Sequence, residues 1–181
     1  MQTQERELVI DKLTSSETLI LSLVKDLTPA QWNFHEGPNR WSIAENIEHL
    51  ILFEHFITEA ITKSLQCSAE PEKKAGAAEN EPHVLTIAGT RSPAKLIARE
   101  PVRPTGRWSN PAEMVAGFRK VRAQTIAFAN ATQAHLRDHF FPHISLGDLD
   151  CYQWLVLLGQ HTYRHALQIE EVKSAPAYPA A

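Results

Sequence analysis

The chain has 181 residues, of which 43% are hydrophobic and 22% are charged, as in an ordinary globular protein with its own core. Its formal net charge of −3 and its scattered lysines and arginines argue against nucleic acid as a partner. No apolar run approaches the roughly 20 residues that cross a bilayer. The chain does not open on a signal-peptide pattern, and its two cysteines are too few for a disulfide scaffold. We therefore expect a single domain over residues 1–181 that is cytoplasmic and not inserted in a membrane.

Two amphipathic helices are predicted in the first third of the chain. Apolar residues recur at helical spacing over residues 3–27, and Pro29 then marks a stop that can also begin a short turn. A second helix is predicted over residues 42–65. It begins at Ser42, because Ser42 and Glu45 have the spacing of a capping box, in which each side chain binds the backbone N–H of the other residue.

Residues 67–110 form a long connection without a sustained hydrophobic period. Prolines and glycines interrupt it repeatedly, at Pro71, Gly76, Pro82, Gly89, Pro93, Pro101, Pro104 and Gly106. A connection of this length inside a compact domain is typical of a functional loop, a crossover or partial disorder. We expect residues 70–81, which are polar and alanine-rich, to be its most mobile part, and residues 92–98 to form a short helix capped by Ser92.

The second half of the chain predicts two more helices. Asn110 followed by Pro111 marks the start of a third helix, which its apolar stripe extends to about residue 136. A fourth helix covers residues 150–173, and we expect the proline-containing tail, residues 174–181, to fray. No strand pattern is predicted anywhere in the chain. Four long amphipathic helices predict an all-α fold, a four-helix bundle, in which binding sites lie between facing helices.

Two histidines in the fourth helix share one face. His161 and His165 are four residues apart, so both side chains point in the same direction. The apolar residues of the same stripe are Trp154, Leu157, Leu158, Ile169 and Val172. Burying an unpaired polar group costs about 1–3 kcal/mol, and one metal ion would satisfy both rings. Hydrogen bonds from two ordinary histidines to neighbouring helices would explain the same pattern.

A catalytic zinc site typically has three protein ligands and one open position, so a metal here needs a third ligand from another helix. His49 is the best candidate, because it shares the inward face of the second helix with Phe53 and Phe56. His55 lies about 120° away from that face and is expected to be exposed. The other histidines lie in predicted loops or near the end of the third helix: His35, His83, His135, His139 and His143.

Two segments of the chain carry a recognisable pattern in the expected order. Residues 41–50, Trp-Ser-Ile-Ala-Glu-Asn-Ile-Glu-His-Leu, fit W-[ST]-x-x-E-x-x-x-H-[LI]. The second segment contains Phe-Pro-His at residues 141–143, Trp154-Leu155, and His-Thr-Tyr-Arg-His-Ala-Leu-Gln-Ile at residues 161–169. Together they resemble the opening and closing segments of the DNA-damage-inducible, DinB-like bundle family.

This resemblance implies a bundle with a long crossover between helices two and three. It also implies a divalent metal ion, often zinc or nickel, held by one histidine of helix two and two of helix four. On this chain those residues are His49, His161 and His165. Characterised relatives include transferases that activate a low-molecular-weight thiol at the metal, and a thiol-dependent maleylpyruvate isomerase. Many members have no known substrate.

The expected function is thus a metal-dependent enzyme that acts on a small molecule, with a transferase that activates a low-molecular-weight thiol as the first hypothesis. A metal-dependent hydrolase and a non-catalytic, metal-binding or stress-associated bundle protein remain as alternatives. No catalytic residue is assigned. An anionic substrate would find candidate partners in the arginines of the long connection, although these also read as solubilising charges: Arg91, Arg99, Arg103 and Arg107.

Several residues near the histidines have simpler interpretations. Thr162 stands where the zinc-protease pattern H-E-x-x-H has its general base, so a protease is not expected and a hydrolase is disfavoured. Glu48 is interpreted as a solvated charge. Cys151 lies roughly 15 Å from His161 along the helix and is interpreted as a small buried residue. Arg164 is expected to face outward, in an ion pair or a subunit contact, which leaves a homodimer as an open alternative.

Overall fold

The long helices begin at the capping residues that the sequence provides. In a computed structural model, which describes residues 1–87 and 98–180, Ser42 accepts a hydrogen bond from the Glu45 backbone N–H. The Glu45 carboxylate accepts one in return from the Ser42 N–H at 2.7 Å. Asp150 and Gln153 form the same reciprocal pair at the start of the last helix. These bonds satisfy backbone N–H groups that the first turn of a helix leaves without partners.

Helices dominate the described residues: α1 (Thr3–Leu23), α2 (Pro29–Trp32), α3 (Ile43–Ser64), α4 (Lys74–Thr86), α5 (Pro111–Ala131) and α6 (Cys151–Lys173). Three single turns of 3-10 helix accompany them: Pro71–Lys73, Glu100–Val102 and Leu136–Asp138. The four long helices, α1, α3, α5 and α6, pack as a bundle, with α1 against α6 and α3 against α5 and α6. The predicted all-α bundle with a crossover between its second and third long helices is confirmed.

Two long helices end earlier than the hydrophobic pattern predicted. The first was expected to reach residue 27 but ends at Leu23, and Asp26 then adopts a left-handed backbone conformation with φ 56° that cannot continue a helix. The third was expected to reach about residue 136 but ends at Ala131, because Thr132 is extended. Apolar residues beyond these ends pack on the bundle as turns, and hydrophobic spacing alone does not distinguish the two cases.

The long connection contains a helix that the sequence did not predict. Residues 70–81, expected to be its most mobile part, include most of α4, whose Ala77 and Val84 side chains are buried. Gln153 Nε2 donates to the Ala77 carbonyl at 2.6 Å and so ties α4 to α6. Alanine-rich segments form helices readily once a neighbouring surface covers one face. Except for Ala98, the short helix expected over residues 92–98 lies outside the described residues.

A β-hairpin joins the end of the third long helix to the fourth, which corrects the prediction of a chain without strands. β1 (Phe140–His143) pairs with β2 (Gly147–Asp150) in antiparallel register, with Phe140 opposite Asp150 and His143 opposite Gly147. Gly147 has φ 71°, a conformation that favours glycine and closes the turn. Strands of four residues are too short to show a period-2 pattern in the sequence.

The helices α1 and α6 approach each other closely at Gly159. A Cβ atom on this residue would lie 2.7 Å from Lys12 Cβ and 2.8 Å from the Lys12 backbone carbonyl, so only glycine fits without a shift. The apolar core forms two clusters, one at each end of the bundle. Buried polar residues lie between the two clusters, including Glu54, Arg122 and Thr162.

The C-terminal tail, expected to fray, contacts α2. Gln31 Nε2 donates to the Pro179 carbonyl at 3.1 Å, and the Phe34 and Tyr178 rings meet edge to face with centroids 5.6 Å apart. Among the helices of the described residues, none has the length and apolar character needed to cross a membrane.

Candidate metal centre

Three histidines from two helices meet in the half of the bundle where α3 begins. α3 contributes His49, and α6 contributes His161 and His165. One ring nitrogen of each residue lies within 4.8 Å of the corresponding nitrogens of the other two. His49 Nε2 and His161 Nε2 are 3.3 Å apart. The structure therefore brings together the three histidines that the sequence and the family resemblance selected.

His49 is oriented by the long connection. Its Nδ1 donates to the Val102 carbonyl at 2.6 Å, and both residues are buried. A neutral imidazole carries one proton, so a proton held at Nδ1 leaves Nε2 with a free lone pair. That lone pair faces His161. Backbone carbonyls commonly orient metal-binding histidines in this way.

His165 is oriented by the neighbouring helix. Its Nδ1 lies 2.7 Å from Asn46 Oδ1, and Asn46 Nδ2 donates to the Ser42 carbonyl at 2.8 Å. Because Asn46 Nδ2 donates to Ser42, the Asn46 amide oxygen faces the imidazole and accepts a hydrogen bond from the His165 Nδ1–H group. The His165 ring also lies against the other two, with centroids 4.8 Å from His49 and 4.6 Å from His161. The Trp41 ring stacks on His165 with centroids 6.0 Å apart.

His161 differs from the other two histidines, because its Nδ1 is buried without a hydrogen-bond partner among residues 1–87 and 98–180. The Phe53 ring stacks on the imidazole at a centroid distance of 3.9 Å. A hydrogen bond between His161 Nε2 and His49 Nε2 would satisfy one pair of nitrogens and would not satisfy His161 Nδ1. His161 therefore has a polar atom that is out of water and lacks a partner in the described part of the chain.

Burial keeps the His49 and His161 rings neutral near pH 7. It lowers the pKa of His49 to about 4, against the opposing effect of the Val102 hydrogen bond. It also lowers the pKa of His161 well below its ordinary value, and the charges of His165, His49 and Arg164 act in the same direction. A neutral imidazole is the form that binds a metal, so metal binding does not first have to remove a proton.

The donor set fits a divalent metal ion. Two nitrogens at about 2.0–2.1 Å from a tetrahedral zinc ion are roughly 3.4 Å apart, close to the 3.3 Å between His49 and His161. The upper limit of 4.8 Å within the group means that a small side-chain shift is enough to close the remaining separations. Imidazole ligands suit zinc, nickel, copper and iron, and three of them leave a coordination position open. The cluster can thus hold a metal ion, with room for a further ligand.

Glu48 is not the solvated charge that the sequence suggested. Its side chain is buried, and its carboxylate accepts hydrogen bonds from the backbone N–H groups of Thr105 and Gly106, both at 2.9 Å. The partners lie in an irregular loop more than fifty residues away, so the sequence carried no signal for them. His55 is exposed and Cys151 is buried, as predicted.

The arginines of the long connection remain candidate contacts for an anion. Arg99, Arg103 and Arg107 are exposed, whereas Arg91 lies outside the described residues. Burial is the main cause that lowers the pKa of His143, and the charge of Arg99 lowers it further. This arginine therefore lies near the hairpin. Sequence analysis assigned His143 to a loop only.

His143 is held by the hairpin turn that follows it. The backbone N–H groups of Ser145 and Leu146 both donate to its Nδ1 at 3.2 Å, which leaves Nε2 to carry the proton. Its ring also faces Trp154, with centroids 5.4 Å apart. These contacts hold the imidazole in one orientation beside the same stripe of α6 that carries the two histidines of the cluster.

A helical bundle with a three-histidine cluster between facing helices, two of its histidines buried and His161 half-buried, defines a class of candidate metal-binding proteins. The sequence matches the family model of the DinB superfamily over residues 12–169, and the chain belongs to this superfamily. It is also similar to YuaE, an uncharacterized protein of Bacillus subtilis (strain 168). The two are 27% identical over 150 residues, which cover 83% of this chain and 88% of YuaE. The comparison with solved structures found no match.

Proposed function

We propose that this protein is a metal-dependent enzyme whose His49, His161 and His165 together hold one divalent ion, zinc or nickel. One observation carries the proposal. A ring nitrogen of each histidine lies within 4.8 Å of those of the other two, and the Nδ1 atoms of His49 and His165 are held outside the cluster by Val102 and Asn46. Three imidazoles that meet at one point and are oriented by outer partners are suited to hold a cation.

We further propose that the reaction transfers a low-molecular-weight thiol to a small electrophilic molecule. His49, His161 and His165 would hold the ion without adding negative charge, so the bound ion would lower the pKa of a coordinated thiol. A thiol deprotonates more readily than water, so this reaction depends less on a protein base. The half-buried rings of Trp41 and Phe53 lie against His165 and His161 and would limit the access of water to the nucleophile.

Hydrolysis of a substrate by water is the alternative, and the side chains around the cluster disfavour it. Thr162, at the position of the zinc-protease base, donates to the Leu158 carbonyl and accepts from Arg122. Of the buried carboxylates on α3, Glu48 is bound to backbone N–H groups and Glu54 is paired with Arg122. Each of these groups is already engaged and is poorly placed to act as a general base.

We also propose a cytoplasmic location, which the free thiols of Cys67 and Cys151 support. Small-molecule thiols are abundant in such a reducing compartment.

The proposal is tested in two steps on the purified full-length chain. Zinc and nickel are first titrated into chelator-treated protein and into two variants, His161→Ala and His55→Ala. We expect tight binding of one ion, its loss in His161→Ala, and no change in the control, because His55 is an exposed histidine on α3, the helix that carries His49. Equal binding by His161→Ala contradicts the assignment of this ligand.

In the second step the metal-loaded protein is incubated with a panel of thiols, including cysteine and glutathione, and an activated aryl halide. The carbon–sulfur bond forms as the carbon–halogen bond breaks, with release of halide and of the thiol proton. We expect this thioether product to form at a rate that falls to background in His161→Ala. Metal binding without turnover by any thiol would favour a non-catalytic metal-binding protein, and turnover of an activated ester alone would favour a hydrolase.

A further inference from the structure

Two consecutive residues of α3 hold the same segment of the long connection. Residues 98–108, which we call the strap, run from the end of the undescribed segment toward α5 and include the 3-10 turn Glu100–Val102. Glu48 binds the strap near its end, and His49 binds it at Val102. The strap is therefore fixed at two points, one of which is a histidine of the cluster.

The closest contacts of the Glu48 carboxylate are all with backbone N–H groups. Its two carboxylate oxygens accept from Thr105 N–H and Gly106 N–H, each at 2.9 Å, and the Arg107 N–H lies at 3.4 Å. Successive backbone N–H groups that point to one place form a concave anion site, which this carboxylate fills. Gly106 has φ 74°, the left-handed conformation that turns the neighbouring N–H groups toward one side.

The hydrogen bonds from the strap to Glu48 fix the position of Val102, which contacts His49. Only Arg103 and Pro104 separate Val102 from the residues that Glu48 holds, and the fixed φ of proline limits the freedom of this short link. The Val102 side chain is itself buried. With the strap in place, the Val102 carbonyl stands 2.6 Å from His49 Nδ1. Without this acceptor, the proton of the neutral ring is free to sit on either nitrogen.

We propose that Glu48 is a positioning residue for the metal centre. By holding the strap, Glu48 keeps the Val102 carbonyl on His49 Nδ1, and so keeps His49 in the tautomer that presents Nε2 to the cluster. Its effect on metal affinity rests on the proposed function, whereas its effect on the tautomer of His49 does not. The two effects can therefore be measured separately.

The first measurement is the tautomer of His49, read from ¹⁵N chemical shifts of the imidazole in chelator-treated, full-length protein near pH 8. We expect the Nδ1–H form in the natural chain and a mixture of tautomers in Glu48→Gln, whose amide turns an N–H₂ group toward the strap. Gly106→Val should give the same mixture. It disturbs the left-handed residue while leaving α3 unchanged, and no atom lies within 4 Å of its Cβ position.

Two matched variants control for charge and for backbone strain. Glu59→Gln removes an exposed carboxylate from the same helix, and Gly147→Val places the same strain on a left-handed glycine of the hairpin. Neither residue contacts the strap through the hydrogen bonds described above, so His49 should keep the natural tautomer in both. Circular dichroism shows whether each variant has folded. If Glu48→Gln does not fold, the tautomer of His49 in Gly106→Val tests the inference instead.

The second measurement is zinc affinity, which we expect to fall about 10- to 100-fold in Glu48→Gln, as is typical when an outer partner of a histidine ligand is disturbed. The natural tautomer in both Glu48→Gln and Gly106→Val would overturn the inference, even if zinc binds the natural chain. If both variants shift the tautomer while the natural chain binds no zinc, the positioning role stands and the proposed metal site falls.

Discussion

The bundle buries two polar clusters that are built in opposite ways. In the first, every guanidinium nitrogen of Arg122 has a partner: Glu54 at 2.9–3.1 Å, Leu13 O at 2.8 Å, Ser16 Oγ at 3.0 Å and Thr162 Oγ1 at 2.7 Å. These partners come from α1, α3 and α6, while Arg122 itself lies on α5. All four long helices are joined at one closed, internally satisfied point.

The histidine cluster is adjacent to the Arg122 network, because His161 directly precedes Thr162 in α6. Here the protons of His49 and His165 are used outside the cluster, and Nδ1 of His161 has no partner among the described residues. The comparison shows that buried polar residues can serve two different purposes. A closed polar network joins helices, whereas an open one keeps donor atoms available for a ligand. Four predictions sharpen this contrast, in order of their expected effect on the free energy of unfolding.

Truncation of the closed cluster should have the largest effect. Arg122→Ala leaves Glu54 buried without its counter-charge, and we expect the free energy of unfolding to fall by about 3–5 kcal/mol. The measurement is urea denaturation followed by circular dichroism. The double variant Arg122→Met with Glu54→Leu removes both charges and should recover most of this loss. A single variant as stable as the natural chain would show that this network does not hold the helices together.

The open cluster should make stability depend on pH. The pKa of His49 in the folded protein is about 4 and its ordinary value is 6.5, so the unfolded chain binds the proton more readily between these values. The stability that neutral His49 contributes is complete above pH 6.5 and is lost as pH falls toward 4, at about 1.4 kcal/mol per pKa unit. His161 acts in the same direction.

Denaturation of metal-free protein at a series of pH values between 7.5 and 4 measures this slope. His49→Gln should flatten it, and the exposed control His55→Gln should not. A slope that His49→Gln leaves unchanged would mean that other groups cause the acid sensitivity.

Disturbing the close contact between α1 and α6 should lower the free energy of unfolding by a smaller amount. Gly159→Ala places a methyl group 2.7–2.8 Å from Lys12, so the helices must separate, and we expect a loss of about 1–3 kcal/mol in thermal or urea denaturation. The matched control is Gly117→Ala in α5, where the nearest atom, Ile51 Cδ1, lies 3.5 Å away. This variant should gain about 0.5–1 kcal/mol, because alanine is the better helix former. Equal effects from the two variants would rule out the close contact.

His161→Ala should have the smallest effect on the metal-free fold. The variant removes a buried nitrogen without a partner, and the apolar clusters at both ends of the bundle remain. We expect unchanged helicity and a change in the free energy of unfolding below about 1 kcal/mol, together with loss of metal binding. Collapse of the fold would instead indicate a structural role for this histidine.

Features that repeat along a helix could be predicted from the sequence, and features that depend on distant loops could not. The spacing of His161 and His165 and the inward face of His49 led to the cluster, with the family resemblance selecting the same three residues. The caps at Ser42 and Asn110 located two helix starts because capping is a local interaction.

The contacts that complete the site depend on tertiary structure. Val102 meets His49, and Thr105 meets Glu48, across more than fifty residues of chain. An acidic residue on a helix gives no sign that backbone N–H groups will surround it. Arg122 likewise reads as a surface charge, because a buried guanidinium depends on partners from several helices. The helix α4 was missed because proline and glycine in its sequence outweighed its alanines.

The most direct measurement is X-ray absorption spectroscopy of the zinc-loaded protein and of His161→Ala. For the natural chain we predict three imidazole nitrogens at about 2.0–2.1 Å from the metal and one further light ligand at the open position. Addition of a low-molecular-weight thiol should replace that ligand with sulfur at about 2.3 Å. A first shell without imidazole scattering, or the same three-imidazole shell in His161→Ala, would contradict a metal centre formed by His49, His161 and His165.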